Sequence, residues 1–147
     1  MVNTITSASE IETIEAAHAF ALTLKPTDIV LFSGDLGAGK SVFCRAIIRA
    51  LSGQADLDVP SPTFTLVQTY DTPLAPLWHF DLYRLKDPEE IFELGWEDAL
   101  GHGILLIEWP DRLGPYTPKK YTHITITHDG QQSEQSRRIM IEDINPA

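Results

Sequence analysis

The chain has 147 residues, of which 43% are hydrophobic and 22% charged, and a formal net charge of −10. A chain of that length suits one domain, over residues 1–147, with a core that needs no disulfide or metal staple. The acidic balance argues against a protein that grips nucleic acid by itself, because such proteins present a basic face to the phosphates.

The first twenty residues lack the basic start and apolar run of a secretory signal, and no uncharged apolar stretch approaches bilayer length. A cytoplasmic location with no membrane partner is therefore expected. The single cysteine, Cys44, agrees with a reducing compartment, and its place in a helix predicts a small buried hydrophobe. The basic pairs Lys119-Lys120 and Arg137-Arg138 read as solvated patches.

In chain order, Asn3 to Thr6 alternates apolar and polar side chains and predicts a short strand. Ser7 and Glu10 predict a capping box that opens a helix, with Ile11, Ile14, Ala17, Ala21 and Leu24 as its apolar stripe and Pro26 as its end. Asp28 to Ser33 carries a continuous apolar run, as in a strand covered on both faces. A helix follows from about Lys40 to Leu51, closed by Gly53. Pro60 and Pro62 break the segment from Gln54 to Pro62 into loop.

Phe64 to Tyr70 and Leu77 to Tyr83 predict two hairpin strands. Pro88 to Leu100 predicts helix, interrupted near Gly95, with Asp87 as N-cap. Ile104 to Ile107 is a second continuous apolar strand ending at Glu108, and Tyr121 to Thr127 and Arg137 to Ile141 are alternating strands. The mixture predicts an α/β fold with a buried central sheet and antiparallel strands at one side.

Between the first apolar strand and its helix lies Gly34-Asp35-Leu36-Gly37-Ala38-Gly39-Lys40-Ser41, which matches G-x-x-x-x-G-K-[ST] at every fixed position. Glycines let the backbone curl so that successive N–H groups face an anion, and the helix points its positive end at the same place. The nucleotide-binding stretch is thus Asp35, Leu36, Gly37, Ala38, Gly39, Lys40, Ser41 and Val42. Lys40 reaches the outer phosphates, and the Ser41 hydroxyl is placed to ligate Mg²⁺. Such a site also needs an acid at the end of a neighbouring strand. Glu108 fills that position, either as a metal partner or by positioning the attacking water.

On a strand, His79, Asp81 and Tyr83 share one face and Trp78, Phe80 and Leu82 the other. The aromatic face reads as core and the polar face as site lining, with Asp81 touching metal or water. Asp35 is a third candidate acid, and the pattern leaves open which of the three is the principal one. Leu51-Ser52-Gly53-Gln54 is read as a helix end rather than a transport-ATPase signature. The five histidines show no zinc spacing, and the absence of N-K-x-D leans the base preference toward adenine.

Four segments in order, Ser33 to Ser41, Ser61-Pro62-Thr63-Phe64, His79-Phe80-Asp81-Leu82-Tyr83-Arg84 and Ile107-Glu108-Trp109-Pro110, resemble the motifs of the TsaE family over nearly the whole chain. These are bacterial ATPases of tRNA threonylcarbamoyladenosine biosynthesis. The resemblance implies a P-loop NTPase fold with a mixed central β-sheet flanked by helices, and ATP and Mg²⁺ as ligands. It also implies TsaD and TsaB as partners, with tRNA reached only through them and ATP hydrolysis supporting their turnover. It carries over Lys40 and Ser41 as phosphate and Mg²⁺ contacts and Thr63 as a switch-like residue near the metal. Asp81 and Glu108 carry over as catalytic or metal-associated acids, and Trp109 as a residue needed for function. Ser41 stands where many members have threonine and offers the same hydroxyl.

Two other readings stay open from the residues. One is a small-molecule or nucleotide kinase, although the stretch after Tyr83 is acidic and makes a poor phosphate-shielding lid. The other is a regulatory nucleotide-binding module whose hydrolysis is incidental.

Overall fold

A computed structural model describes residues 2–35, 37–129 and 134–145. Ten strands and helices follow in order: β1 (Val2–Ser7), α1 (Glu10–Ala21), β2 (Ile29–Gly34), α2 (Lys40–Ser52), β3 (Val67–Tyr70), β4 (Leu77–Asp81), α3 (Trp96–Ala99), β5 (Ile104–Glu108), β6 (Tyr121–His128) and β7 (Arg137–Ile144). Two 3₁₀ segments, Pro88–Leu94 and Pro110–Tyr116, flank β5 in sequence.

The strands form one sheet in the order β1-β7-β6-β2-β5-β4-β3. Its middle is parallel: β2 pairs with both β5 and β6, and β4 with β5. Antiparallel pairing occurs at both edges, β3 on β4 and the run β1-β7-β6. This corrects the expectation of antiparallel strands at one side only: two hairpins, one early and one late, had to find opposite edges of the same parallel core.

Alternate residues of the central strands feed two buried clusters. Val30, Phe32, Ile104, Leu106, Ile124 and Ile126 pack under α1 and α2. Leu31, Leu105, Ile107 and Phe80 pack under the 3₁₀ segments and α3, with Ile91, Trp96 and Leu113. Both faces are covered, which is why β5 reads as an unbroken apolar run. The arrangement of strand, glycine loop and helix, with an acid-ended parallel strand alongside, is that of a P-loop NTPase.

Several elements shift from their expected bounds. Helix α1 is capped by Ser9, whose side chain accepts from the Glu12 N–H, and not by Ser7. The Ser7 hydroxyl is buried and bonds to Thr13 and the Ser9 carbonyl instead. The stripe rotates accordingly: Thr13, Ala17, Phe20, Ala21 and Leu24 are buried, while Ile11 is 68% exposed. The helix ends at Ala21, before Pro26 can act on it.

Strand β3 begins only at Val67, because Leu66 takes a left-handed backbone (φ 70°) and Phe64 sits in a turn with its ring exposed. Strand β4 stops at Asp81. Gly53 closes α2 in the left-handed conformation and Gly95 breaks the 88–99 segment, as their positions predict. Asp87 opens that segment, its N–H donating to the Glu90 carboxylate. Cys44 is buried. Among the described residues no helix is long and apolar enough to cross a membrane.

Candidate functional site

The glycine loop runs from the carboxyl end of β2 into α2, at the edge where open α/β sheets bind ligands. Gly34 is fixed there by a close approach. It has φ 136°, and a Cβ at this position would lie 1.9 Å from the Ile126 carbonyl oxygen. The P-loop backbone is therefore pressed against β6 with no room for a side chain. Gly39, at φ 105°, is the N-cap of α2 and offers no side chain to its free amides. Those amides are left for an outside acceptor.

Lys40 opens α2 and turns back along the loop. Its ammonium donates to the Gly34 carbonyl at 2.7 Å and lies 3.8 Å from the centre of the Trp109 ring. Burial lowers its pKa, opposed by the nearby charges of Glu108, Asp81, Asp111 and Asp35. Ser41, one residue on, directs its hydroxyl at Glu108 Oε1, 3.5 Å away.

The acids come from adjacent strand ends. Asp81 pairs in register with Glu108 across β4 and β5, and both are buried. Asp81 holds two partners, accepting from the Thr63 hydroxyl at 3.0 Å and from the Tyr83 N–H at 3.1 Å. Ser61 in turn bonds Thr63 at 2.8 Å. Glu108 Oε2 is engaged by His79 Nε2 at 2.7 Å, leaving Oε1 toward Ser41. Trp109 follows at φ 59°, ψ 55°, a left-handed backbone for a bulky residue. Such a conformation costs about 1–3 kcal/mol and persists only where the surroundings impose it. The indole contacts Tyr83, with ring centres 4.8 Å apart and planes tilted by 55°, as well as the Lys40 ammonium.

Most of the site residues expected from sequence meet in one place. A cleft of about 320 Å³ is lined by Lys40, Ser41, Thr63, Asp81, Glu108 and Trp109, with Gly37, Gly39 and Val42 on the loop side. Ala38 is buried within the loop, its N–H donating to the Asp35 carbonyl. The Asp35 side chain is exposed and outside this lining. Leu36 lies outside the described residues. A larger groove of about 760 Å³ opens near Lys25 and Tyr121. It adjoins the amino ends of β2 and β6 and gathers none of these groups.

The donors facing the cleft are oxygens: the Ser41 and Thr63 hydroxyls and the Asp81 and Glu108 carboxylates. A hard cation such as Mg²⁺ takes such donors. Cys44, His79 and Glu108 also bring ligand atoms within 4.8 Å of one another. Burial holds the Cys44 thiol well above its usual range, with Glu108 and Asp81 adding to the shift.

Three contacts lie beyond the sequence reading. His79 was placed on the lining face, but its bond to Glu108 joins positions 29 residues apart. His123 pairs with Ser33 at the loop's approach, at 2.8 Å. Arg137, expected to be a solvated charge, donates from Nε to the Ala38 carbonyl at 2.8 Å. Periodicity carries no signal for such long-range bonds; a basic residue opening a strand that abuts the loop was the available cue.

Comparison with known proteins identifies the family. The family model for "Threonylcarbamoyl adenosine biosynthesis protein TsaE" matches residues 7–139. The chain is 50% identical to the tRNA threonylcarbamoyladenosine biosynthesis protein TsaE of Rickettsia bellii, over 80% of this chain and 81% of that one. To the protein of the same name from Bacillus subtilis it is 34% identical, over 84% of this chain and 77% of that one. The crystal structure of YdiB from Bacillus subtilis superposes with a TM-score of 0.78 at 26% identity, covering 99% of this chain and 87% of the other. The chain belongs to the TsaE family.

Proposed function

We propose that residues 1–147 act as one Mg²⁺-dependent P-loop ATPase domain in tRNA threonylcarbamoyladenosine biosynthesis, supporting turnover of a TsaD–TsaB assembly. The partners handle the tRNA, so this chain needs no basic face of its own; its net charge of −10 fits that division. The site of action is the cytoplasm.

One observation carries the reading. Lys40 and Ser41 from the loop, Thr63 from the segment before β3, and Asp81 and Glu108 from two neighbouring strands converge on one cleft. Residues 35–42 wrap the phosphates of ATP with backbone N–H groups. Lys40 exchanges the Gly34 carbonyl for the outer phosphates. Ser41, Thr63, Asp81 and Glu108 would hold Mg²⁺ through their oxygens. Bound Mg²⁺ supplies charge neutralisation on the phosphoryl group being transferred. Glu108 keeps one oxygen free of His79 and directs it into the cleft, where it orients the attacking water. Trp109 covers Lys40 and is the residue through which a docked partner acts on the site.

The test is phosphate release from ATP by the purified chain, alone and with TsaD and TsaB, alongside formation of modified tRNA. Slow release alone, stimulated by the partners and needing no phosphoryl acceptor, is expected. Release that requires an added small-molecule acceptor would make the chain a kinase. Modification restored by a hydrolysis-dead variant would make hydrolysis incidental.

A further inference from the structure

Arg137 is the first residue of β7, opposite His128 of β6. Its guanidinium spans two parts of the molecule. Nε donates to the Ala38 carbonyl at 2.8 Å, across 99 residues of sequence, and Nη1 donates to the Glu134 and Ser136 carbonyls at 2.6 and 2.9 Å. Arg138, next in sequence, behaves differently: it is exposed and lies 4.0 Å from the Asp129 carboxylate. Among the described residues no carboxylate lies within ion-pair distance of Arg137.

The guanidinium abuts the amino end of α2, where the helix dipole presents positive charge and no acidic residue occupies the first turn. The geometry also has a directional consequence. In a trans peptide the carbonyl and the following N–H point opposite ways. Arg137 fixes the Ala38 carbonyl toward β7, so the Gly39 N–H is turned away from β7. Gly39 lines the cleft, and a Cβ on it would lie 3.8 Å from Arg137 Nε. The arginine and the loop's last glycine are therefore side by side.

We propose that Arg137 is a positioning residue for the phosphate loop: by holding the Ala38 carbonyl it sets the Gly39 amide toward the phosphates. The inference rests on the nucleotide reading above. Arg137 acts through the loop backbone, and the contribution is to affinity for di- and triphosphate rather than to the hydrolytic step.

Substitution separates the held bond from mere charge. In Arg137→Gln the amide nitrogen falls where Nε stood and still donates to Ala38. In Arg137→Met the stem remains and the donor is gone. Arg138→Gln removes the same charge from the neighbouring residue. Titrating Mg·ADP and a non-hydrolysable Mg·ATP analogue calorimetrically, we expect Arg137→Met to bind about 5- to 10-fold more weakly, the size of effect expected for one hydrogen bond to the loop backbone. Arg137→Gln should recover most of that loss, and Arg138→Gln should match wild type. Equal affinities for Arg137→Gln and Arg137→Met, whether both weakened or both unchanged, would overturn the proposal. So would an equal loss in Arg138→Gln. If Arg137→Met does not fold, Arg137→Lys replaces it, with charge kept and the donor displaced outward by one bond; weaker binding by Lys than by Gln supports the bond, and the reverse overturns it. Failure of the wild type itself to bind would remove the nucleotide reading and this inference together, whereas tight wild-type binding with indifferent variants removes only the role of Arg137.

Discussion

His79 Nε2 lies 2.7 Å from Glu108 Oε2, both side chains buried, and among the described residues His79 Nδ1 has no hydrogen-bond partner. A neutral imidazole protonated on Nε2 satisfies this arrangement, since an unprotonated Nδ1 leaves no buried N–H unpaired. Glu108 thereby keeps one oxygen fixed in the interior and one directed at Ser41 and the cleft.

Replacing His79 should separate positioning from packing. In His79→Leu, Glu108 is left buried without its donor, and stability should fall by about 2–4 kcal/mol, read by urea unfolding. His79→Gln, whose amide can reach the same carboxylate oxygen, should recover much of that stability and hydrolyse ATP faster than His79→Leu. Identical hydrolysis by the two variants would mean that the bond does not position Glu108.

Glu108→Gln keeps shape and removes the charge that would hold Mg²⁺ or orient water. It should bind ATP and hydrolyse it about 10²-fold more slowly. A rate within about twofold of wild type would transfer the principal role to Asp81 or Asp35.

Trp109 packs over Lys40 and Tyr83 in a strained left-handed backbone. Trp109→Ala should retain ATP affinity while losing the stimulation of phosphate release by TsaD–TsaB. Stimulation that survives the substitution would leave the loop bearing Thr63 as the partner-responsive element.

Two glycines of the loop should differ sharply in tolerance. Gly34→Ala drives a methyl into the Ile126 backbone, and neither strand can yield without breaking the β2–β6 ladder. Its cost should exceed about 3 kcal/mol, the upper range for overpacking. Gly37→Ala meets nothing within 4 Å and carries only the strain of φ 76°, about 1–2 kcal/mol. Denaturant unfolding of both variants checks the order; similar midpoints would contradict it.

What the sequence made legible was local. The loop, β2, α2 and its Gly53 cap are specified within a few residues of one another, and β5 announces itself as an apolar run ended by an acid. Helix α1 was harder because Ser7 and Ser9 are equivalent cap candidates, each with a glutamate three residues on; burial of Phe20 and Thr13 settles the choice through tertiary packing. The start of β3 depends on Leu66 adopting a left-handed backbone, which no propensity for leucine predicts. Within the site, residue types were readable but not their bonds. The contacts of His79 with Glu108 and of Arg137 with Ala38 are created by strand order, which is decided only when both hairpins have chosen their edges.

The central claim is that the cleft beside Lys40 is a Mg·ATP site, and calorimetric titration of Mg·ATP into wild type and Lys40→Ala tests it most directly. Lys40 is a single point charge on the outer phosphates and, within the loop, has no neighbour of its kind. Saturable binding at one site in wild type, lost in Lys40→Ala without loss of fold, is the predicted result. Unchanged Mg·ATP affinity in the folded Lys40→Ala variant would contradict the assignment.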